Sequence, residues 1–169
     1  MNQEDLLQHR QQKDHFFKTN AQSPLTLEQK VNFKGLNYYD YNLDLDMTVT
    51  ATPFEQQETL EIITTTSQVR NYVRYAEFIF MVDDKKVRLT IFKTDFGYFL
   101  PFVDANSGTE TYPAGRYIEP ETSDGITFHI DFNLVYNPFC AYNDAWSCPI
   151  TPFENRVGVA IRAGEKLFR

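Results

Sequence analysis

Cysteine is nearly missing from this chain, which holds only Cys140 and Cys148 in 169 residues. Two thiols cannot staple a small disulfide scaffold, so the fold must rest on an apolar core, and a reducing compartment would keep both unpaired. No apolar run approaches the roughly 20 residues that cross a bilayer. The first residues, MNQEDLLQHRQQKDHFF, also lack the charged-then-apolar order of a secretory signal. These absences lead to the expectation of a soluble, cytoplasmic protein with no membrane partner. There is no phosphate-cradling Gly loop, dinucleotide fingerprint, His-Glu-x-x-His helix or Gly-x-Ser-x-Gly elbow, which removes the commonest nucleotide and hydrolase chemistries.

Positive charge is scarce in the body of the chain. Residues 37–155 carry seven Lys/Arg against eighteen Asp/Glu, and the whole chain has a formal net charge of -7. Such a surface repels a phosphate backbone, so no nucleic acid is expected as partner. What is abundant is aromatic: 15 Phe and 10 Tyr within a 42% hydrophobic composition are enough to fill one sizeable core and too many for a disordered tail.

The pattern along the chain divides it into an N-terminal helical arm, residues 1–22, and a single β-rich domain, residues 23–169. Asn2 to Lys18 favours helix by composition, but its apolar residues Leu6, Leu7, Phe16 and Phe17 sit at the two ends, so the arm is weakly amphipathic and suited to lie on the surface or to dock on a neighbouring copy. Thr26-x-x-Gln29 after Ser23-Pro24 signals a capping box and a short second helix, with Leu27 and Val31 one turn apart on its buried side and Gly35 at its end.

From Leu43 the period becomes two. Strands are expected at Leu43–Thr50, Thr59–Thr66, Asn71–Val82, Val87–Lys93, Tyr98–Phe102, Ile126–Asn133 and Val157–Arg162. Asp83-Asp84-Lys85-Lys86 reads as a four-residue hairpin loop, and Tyr72 to Met81, apolar at both parities, as a central strand buried on both faces. The set predicts a mainly β, antiparallel barrel or sandwich with one or two N-terminal helices.

Two stretches depart from strand grammar: the polar connection from Phe102 to Tyr117, and Asp131 to Asn155, interrupted by Pro138, Pro149 and Pro152. These stretches carry a resemblance. Phe99-Leu-Pro-Phe-x-Asp-Ala-x-Ser-Gly-x-Glu-Thr-Tyr112, Gly115-Arg-Tyr117, Asp131-Phe-Asn-x-x-Tyr-Asn-Pro-x-Cys-Ala-Tyr142, Cys148-Pro-x-x-Pro152, Glu154-Asn155 and Ile161-Arg-Ala-Gly-Glu-Lys166 closely resemble the bacterial and archaeal family catalogued as domain of unknown function 1684. Ser23-Pro-Leu25 and Phe33-Lys-Gly-Leu36 extend the likeness towards the start. The resemblance implies a shared fold and brings no activity with it. Where the family usually has a Gly-rich approach to its Arg-Tyr pair, this chain has Pro113-Ala114-Gly115.

If Thr127, His129, Asp131 and Asn133 face a barrel interior, His129 and Asp131 share a pocket. Arg116 then serves as counter-charge to a ligand, or pairs with Asp131 to pin the Pro-rich segment. Tyr136, Asn137 and Tyr142 either face the ligand or peg the irregular loop to the sheet. The expected ligand site thus comprises Asp104, Arg116, Tyr117, His129, Asp131, Asn133, Tyr136, Asn137, Cys140 and Tyr142. Its occupant is a small polar or anionic molecule, with no metal and no cofactor assigned. Cys140 and Cys148 with His129 make a poor zinc set, because the thiol spacing is too wide for a knuckle. Alternatives are a hydrolase-like enzyme using Cys140 or His129/Asp131, and a scaffold module that forms homo-oligomers through the N-terminal arm.

Overall fold

The structure, a computed structural model, describes residues 2–168. Helix α1 (Gln3–Thr19) is capped by the Asn2 side chain, which accepts from the Asp5 amide at 2.9 Å. Helix α2 (Leu27–Asn32) opens with the expected capping box: the Gln29 amide donates to Thr26 Oγ1 and the Thr26 amide to Gln29 Oε1. Its Leu27 and Val31 are each 83% exposed, contrary to the reading that buried them. The helix turns its Gln29 inward instead, where Nε2 donates to the Tyr142 carbonyl.

Nine strands follow among the described residues: β1 (Asp46–Thr50), β2 (Thr52–Pro53), β3 (Thr59–Ile63), β4 (Val69–Val82), β5 (Lys85–Thr94), β6 (Gly97–Phe102), β7 (Arg116–Ile118), β8 (Glu121–Thr122) and β9 (Thr127–Asp131). They form two antiparallel sheets. One has the order β1-β9-β8; the other runs β2-β4-β5-β6-β7, with β3 sharing the β2 edge of β4. The sheets do not close into a barrel; they pack as a sandwich around Phe78, Phe80, Leu89, Ile91, Leu100, Phe102, Phe128, Ile130 and Phe132. No described helix is long and apolar enough to cross a membrane.

Three expected elements take a different form. The β4–β5 hairpin turns on two residues rather than four: Asp83 and Asp84 both have positive φ (48° and 60°), while Lys85 and Lys86 already pair with Val82 and Met81. Strand β4 is not buried on both faces, since Ile79 and Met81 are 45% and 56% exposed. A bulge between Arg74 and Ala76 adds one residue and changes the parity. Tyr72 therefore belongs to one face of the sheet, and Ala76, Phe78 and Phe80 to the other. Residues 157–162 form no strand. They run beside 103–105, with Val157 N donating to Val103 O and Ala105 N to Val159 O, until the Ile161 amide goes to the Asp104 carboxylate instead of a ladder carbonyl.

The strands buried on both faces are β5, β6 and β7. Ile91, Leu100 and Ile118 point into the sandwich, and their neighbours Phe92, Phe99 and Tyr117 point the other way. That second face would be an exposed apolar patch if the chain from Tyr136 to Pro149 did not fold over it.

Candidate functional site

The covering segment is fastened at both ends by short pieces of β pairing. Tyr117 and Tyr136 exchange amide hydrogen bonds of 2.9 and 3.0 Å. At the other end Ile150 N donates to Ile63 O at 2.9 Å, and Thr65 N donates to Cys148 O at 2.9 Å. Side chains complete the attachment: the Tyr117 hydroxyl donates to the Pro149 carbonyl, the Tyr136 hydroxyl to Glu119, and Ser147 Oγ to Thr64 Oγ1. Burial pushes the phenols of Tyr117 and Tyr136 above their ordinary range, so both stay protonated donors.

Between these fastenings the segment stands away from the sheet and leaves an open cavity of about 790 Å³. Its floor is Tyr72, Phe99 and Tyr117, with Tyr72 and Phe99 stacked at 5.4 Å and Phe99 edge-on to Tyr117 at 4.9 Å. Its roof is Tyr136, Phe139, Trp146, Cys148 and Pro149; Phe139 and Trp146 meet edge to face at 4.9 Å. Arg70, Asp95 and Glu119 stand at the rim, together with Phe96, which is 99% exposed at the tip of the β5–β6 hairpin. This is the volume of a small-molecule pocket, with an apolar ring-rich interior and few polar groups at its edge.

The ten residues expected to share one site are distributed over several places. Tyr117 and Tyr136 line this cavity. His129 and Asp131 border a neighbouring hollow of about 600 Å³ between α1 and the sheets, which shares Glu119, Tyr136 and Phe139 with the first. The polar face of β9 is the outer face, because Phe128, Ile130 and Phe132 fill the sandwich. There His129 Nε2 lies 2.6 Å from Asp46 Oδ1, its cross-sheet partner on β1 being Thr48. Asp131 Oδ1 accepts from the amide and side chain of Asn133, which in turn bonds both backbone groups of Asn42.

Arg116 pairs with Asp104 rather than Asp131. Its Nη2 donates to Asp104 Oδ2 at 3.2 Å and to Ile161 O at 2.8 Å, and Nη1 donates to the carbonyls of Ala163 and Glu165 at 2.5 and 2.9 Å. Asp104 also accepts from Ser107, Thr111 and the Ile161 amide. The polar loop thus spends its groups on itself and on the C-terminal segment. Gly115, at φ +100°, permits this fold-back, since a Cβ there would lie 2.5 Å from the Phe102 carbonyl.

Asn137 and Tyr142 converge on Glu165, 1% exposed, whose Oε2 accepts the Asn137 amide and the Tyr142 hydroxyl while Oε1 lies 2.5 Å from Lys13 Nζ of α1. Cys140 faces Cys148 and receives the Tyr112 hydroxyl at 3.7 Å. Its thiol is pushed up by the Cys148 sulfur beside it and by burial, and the side-chain contact of His129 is to Asp46 rather than to Cys140. Among the described residues no group of three or more His, Cys, Asp and Glu could hold a metal ion.

Sequence reasoning missed Tyr72, Phe99, Arg70 and Trp146. The signal for Phe99 was present in Leu89-Thr-Ile-Phe92 and Phe99-Leu-Pro-Phe102, where apolar residues at both parities mark a sheet buried on two faces.

A family model described as "Protein of unknown function (DUF1684)" matches residues 31–166. The chain is similar to the solution NMR structure of an uncharacterized protein from Haloarcula marismortui, with 36% identity, a TM-score of 0.71, and coverage of 96% of this chain and 92% of the other. No curated protein matches.

Proposed function

The chain belongs to the DUF1684 family of proteins of unknown function, and from that premise we propose, on the geometry of the cavity alone, that it binds a small, planar, anionic molecule beneath the Tyr136–Pro149 segment. The observation that carries this reading is the ring-lined 790 Å³ space with Arg70 at its edge. Aromatic walls at edge and face orientations accept a flat ring by offset or T-shaped contact, and a guanidinium at the rim can receive its carboxylate, sulfonate or phosphate group. Arg70 is partly committed already, with Nη2 3.3 Å from the Ser147 carbonyl, a contact an anion would outcompete.

The single tryptophan of the chain, Trp146, lies in the roof, so its emission reports occupancy directly. Titration with the anionic probe 8-anilinonaphthalene-1-sulfonate should quench Trp146 saturably at one site. Arg70→Ala should weaken that probe roughly tenfold and leave its uncharged counterpart N-phenyl-1-naphthylamine unaffected. Absence of saturable quenching by either probe would sink the binding reading; equal affinity of Arg70→Ala for the sulfonate would remove its anionic part.

A further inference from the structure

The roof of the cavity contains a pair of groups that the binding reading does not use. Cys140 and Cys148 are both free and both buried, yet Cys148 lines the cavity. The Cys140 amide donates to Cys148 Sγ at 3.2 Å, so the two residues meet at that sulfur. The donors therefore converge on one sulfur of the two. Cys140 receives only the long contact from the Tyr112 hydroxyl, at 3.7 Å.

We propose that Cys148 is a site of peroxide oxidation and that Cys140 is its resolving thiol, the product being a Cys140–Cys148 disulfide in the wall of the cavity. In the first step the Cys148 thiolate attacks one oxygen of hydrogen peroxide. A sulfur–oxygen bond forms, the oxygen–oxygen bond breaks, hydroxide leaves, and Cys148 becomes a sulfenic acid. In the second step the Cys140 sulfur attacks Cys148, the sulfur–sulfur bond forms, and the sulfenic hydroxyl departs as water with the proton of Cys140. Two electrons pass from the thiol pair to the peroxide.

The geometry assigns the order of the two steps. A thiolate on Cys148 is met by the Cys140 thiol and amide, and Arg70 lies on the same side. These neighbours, the Cys140 thiol first, hold Cys148 down at about 7, while the Cys148 sulfur and burial hold Cys140 up against the opposing pull of the Tyr112 hydroxyl. Cys148 also opens on the cavity by which peroxide enters. The proposal does not depend on the cavity holding an organic ligand.

The test uses the full chain as wild type, Cys140→Ser and Cys148→Ser, each treated with hydrogen peroxide at neutral pH in the presence of dimedone, then denatured, alkylated and mapped by mass spectrometry. Wild type should yield the intramolecular Cys140–Cys148 disulfide. Cys140→Ser should stop at the sulfenic acid and carry dimedone on Cys148, and Cys148→Ser should react at least tenfold more slowly, about the factor expected when the remaining thiol is largely protonated. Wild-type protein that keeps two alkylatable thiols, or that forms only disulfides between chains, overturns the proposal without recourse to the variants. Dimedone on Cys140 in Cys148→Ser at the rate seen for Cys148 overturns the assigned order.

Discussion

Arg116 and Asp104 lie twelve residues apart and meet at 3.2 Å, each side chain 1% exposed. The guanidinium also ties down the carbonyls of Ile161, Ala163 and Glu165, so one side chain holds the Asp104 loop and the C-terminal segment against β7. Such a residue acts on stability. Arg116→Ala takes the counter-charge from the buried Asp104 carboxylate and the guanidinium donors from the Ala163 and Glu165 carbonyls, and is expected to cost about 3–5 kcal/mol, read as a lowered denaturation midpoint. Arg116→Lys should recover little, because an ammonium cannot present the planar fork to four acceptors. An unchanged midpoint in Arg116→Ala would contradict the clamp.

Asn155 performs the work of a strand residue with its side chain. Strands β5 and β6 pair only from Phe92 to Thr94 and from Gly97 to Phe99. Beyond that the strands part, and the Asn155 amide enters the gap: Oδ1 accepts Thr90 N, and Nδ2 donates to Thr90 O and Pro101 O, all at 2.8 Å. With Asn155 fully buried, Asn155→Ala strands three backbone groups and should cost about 3 kcal/mol, a fall in Tm of roughly 6–12 °C for a domain of this size. Asn155→Asp should be as damaging, since it sets a carboxylate oxygen against the two carbonyls.

Much of this architecture was legible as periodicity. The alternation of β9 placed Phe128, Ile130 and Phe132 on one face, and that face is the core. Alternation does not say what the opposite face meets, so His129 and Asp131 were assigned to an interior that the sandwich fills with Phe. The partner of Arg116 was invisible for another reason: Asp104 reaches it because a tight turn, in which the Asn106 carbonyl accepts the amides of Thr109, Glu110 and Thr111, folds the loop back on itself. The cavity was hidden because its floor is made of ordinary core residues. Tyr72 falls on that face only through the bulge in β4, and a one-residue parity change leaves no mark in composition.

The turn before β9 gives a titration with a definite sign. Asp124 Oδ1 accepts the amides of Thr127 and Ile126 at 2.7 and 2.8 Å, and these donors, Thr127 first, hold its carboxyl down at about 2. A carboxyl depressed from its ordinary 3.8 favours the folded state above that value, and the contribution is lost as pH falls through 2. A carboxyl chemical-shift titration by NMR should place its midpoint near 2, well below the ordinary 3.8. A midpoint near 4 would show that the turn does not hold.

Phe17 decides whether α1 is an appendage or part of the fold. Its ring is 1% exposed and sits 5.0 Å from Tyr142, 6.3 Å from Phe33 and 6.3 Å from Phe139, so the apolar end of the helix is docked on its own chain. Phe17→Ala should cost about 3–5 kcal/mol, whereas Leu27→Ala and Val31→Ala on the exposed face of α2 should stay within about 0.5 kcal/mol. The effect should also reach the cavity, because Phe139 touches Phe17 on one side and Trp146 on the other. Loss of the Phe17 ring frees Phe139, and Trp146 emission should shift to the red under conditions where circular dichroism still reports a folded chain. An unshifted emission with the full stability loss would mean that helix and cavity roof respond independently.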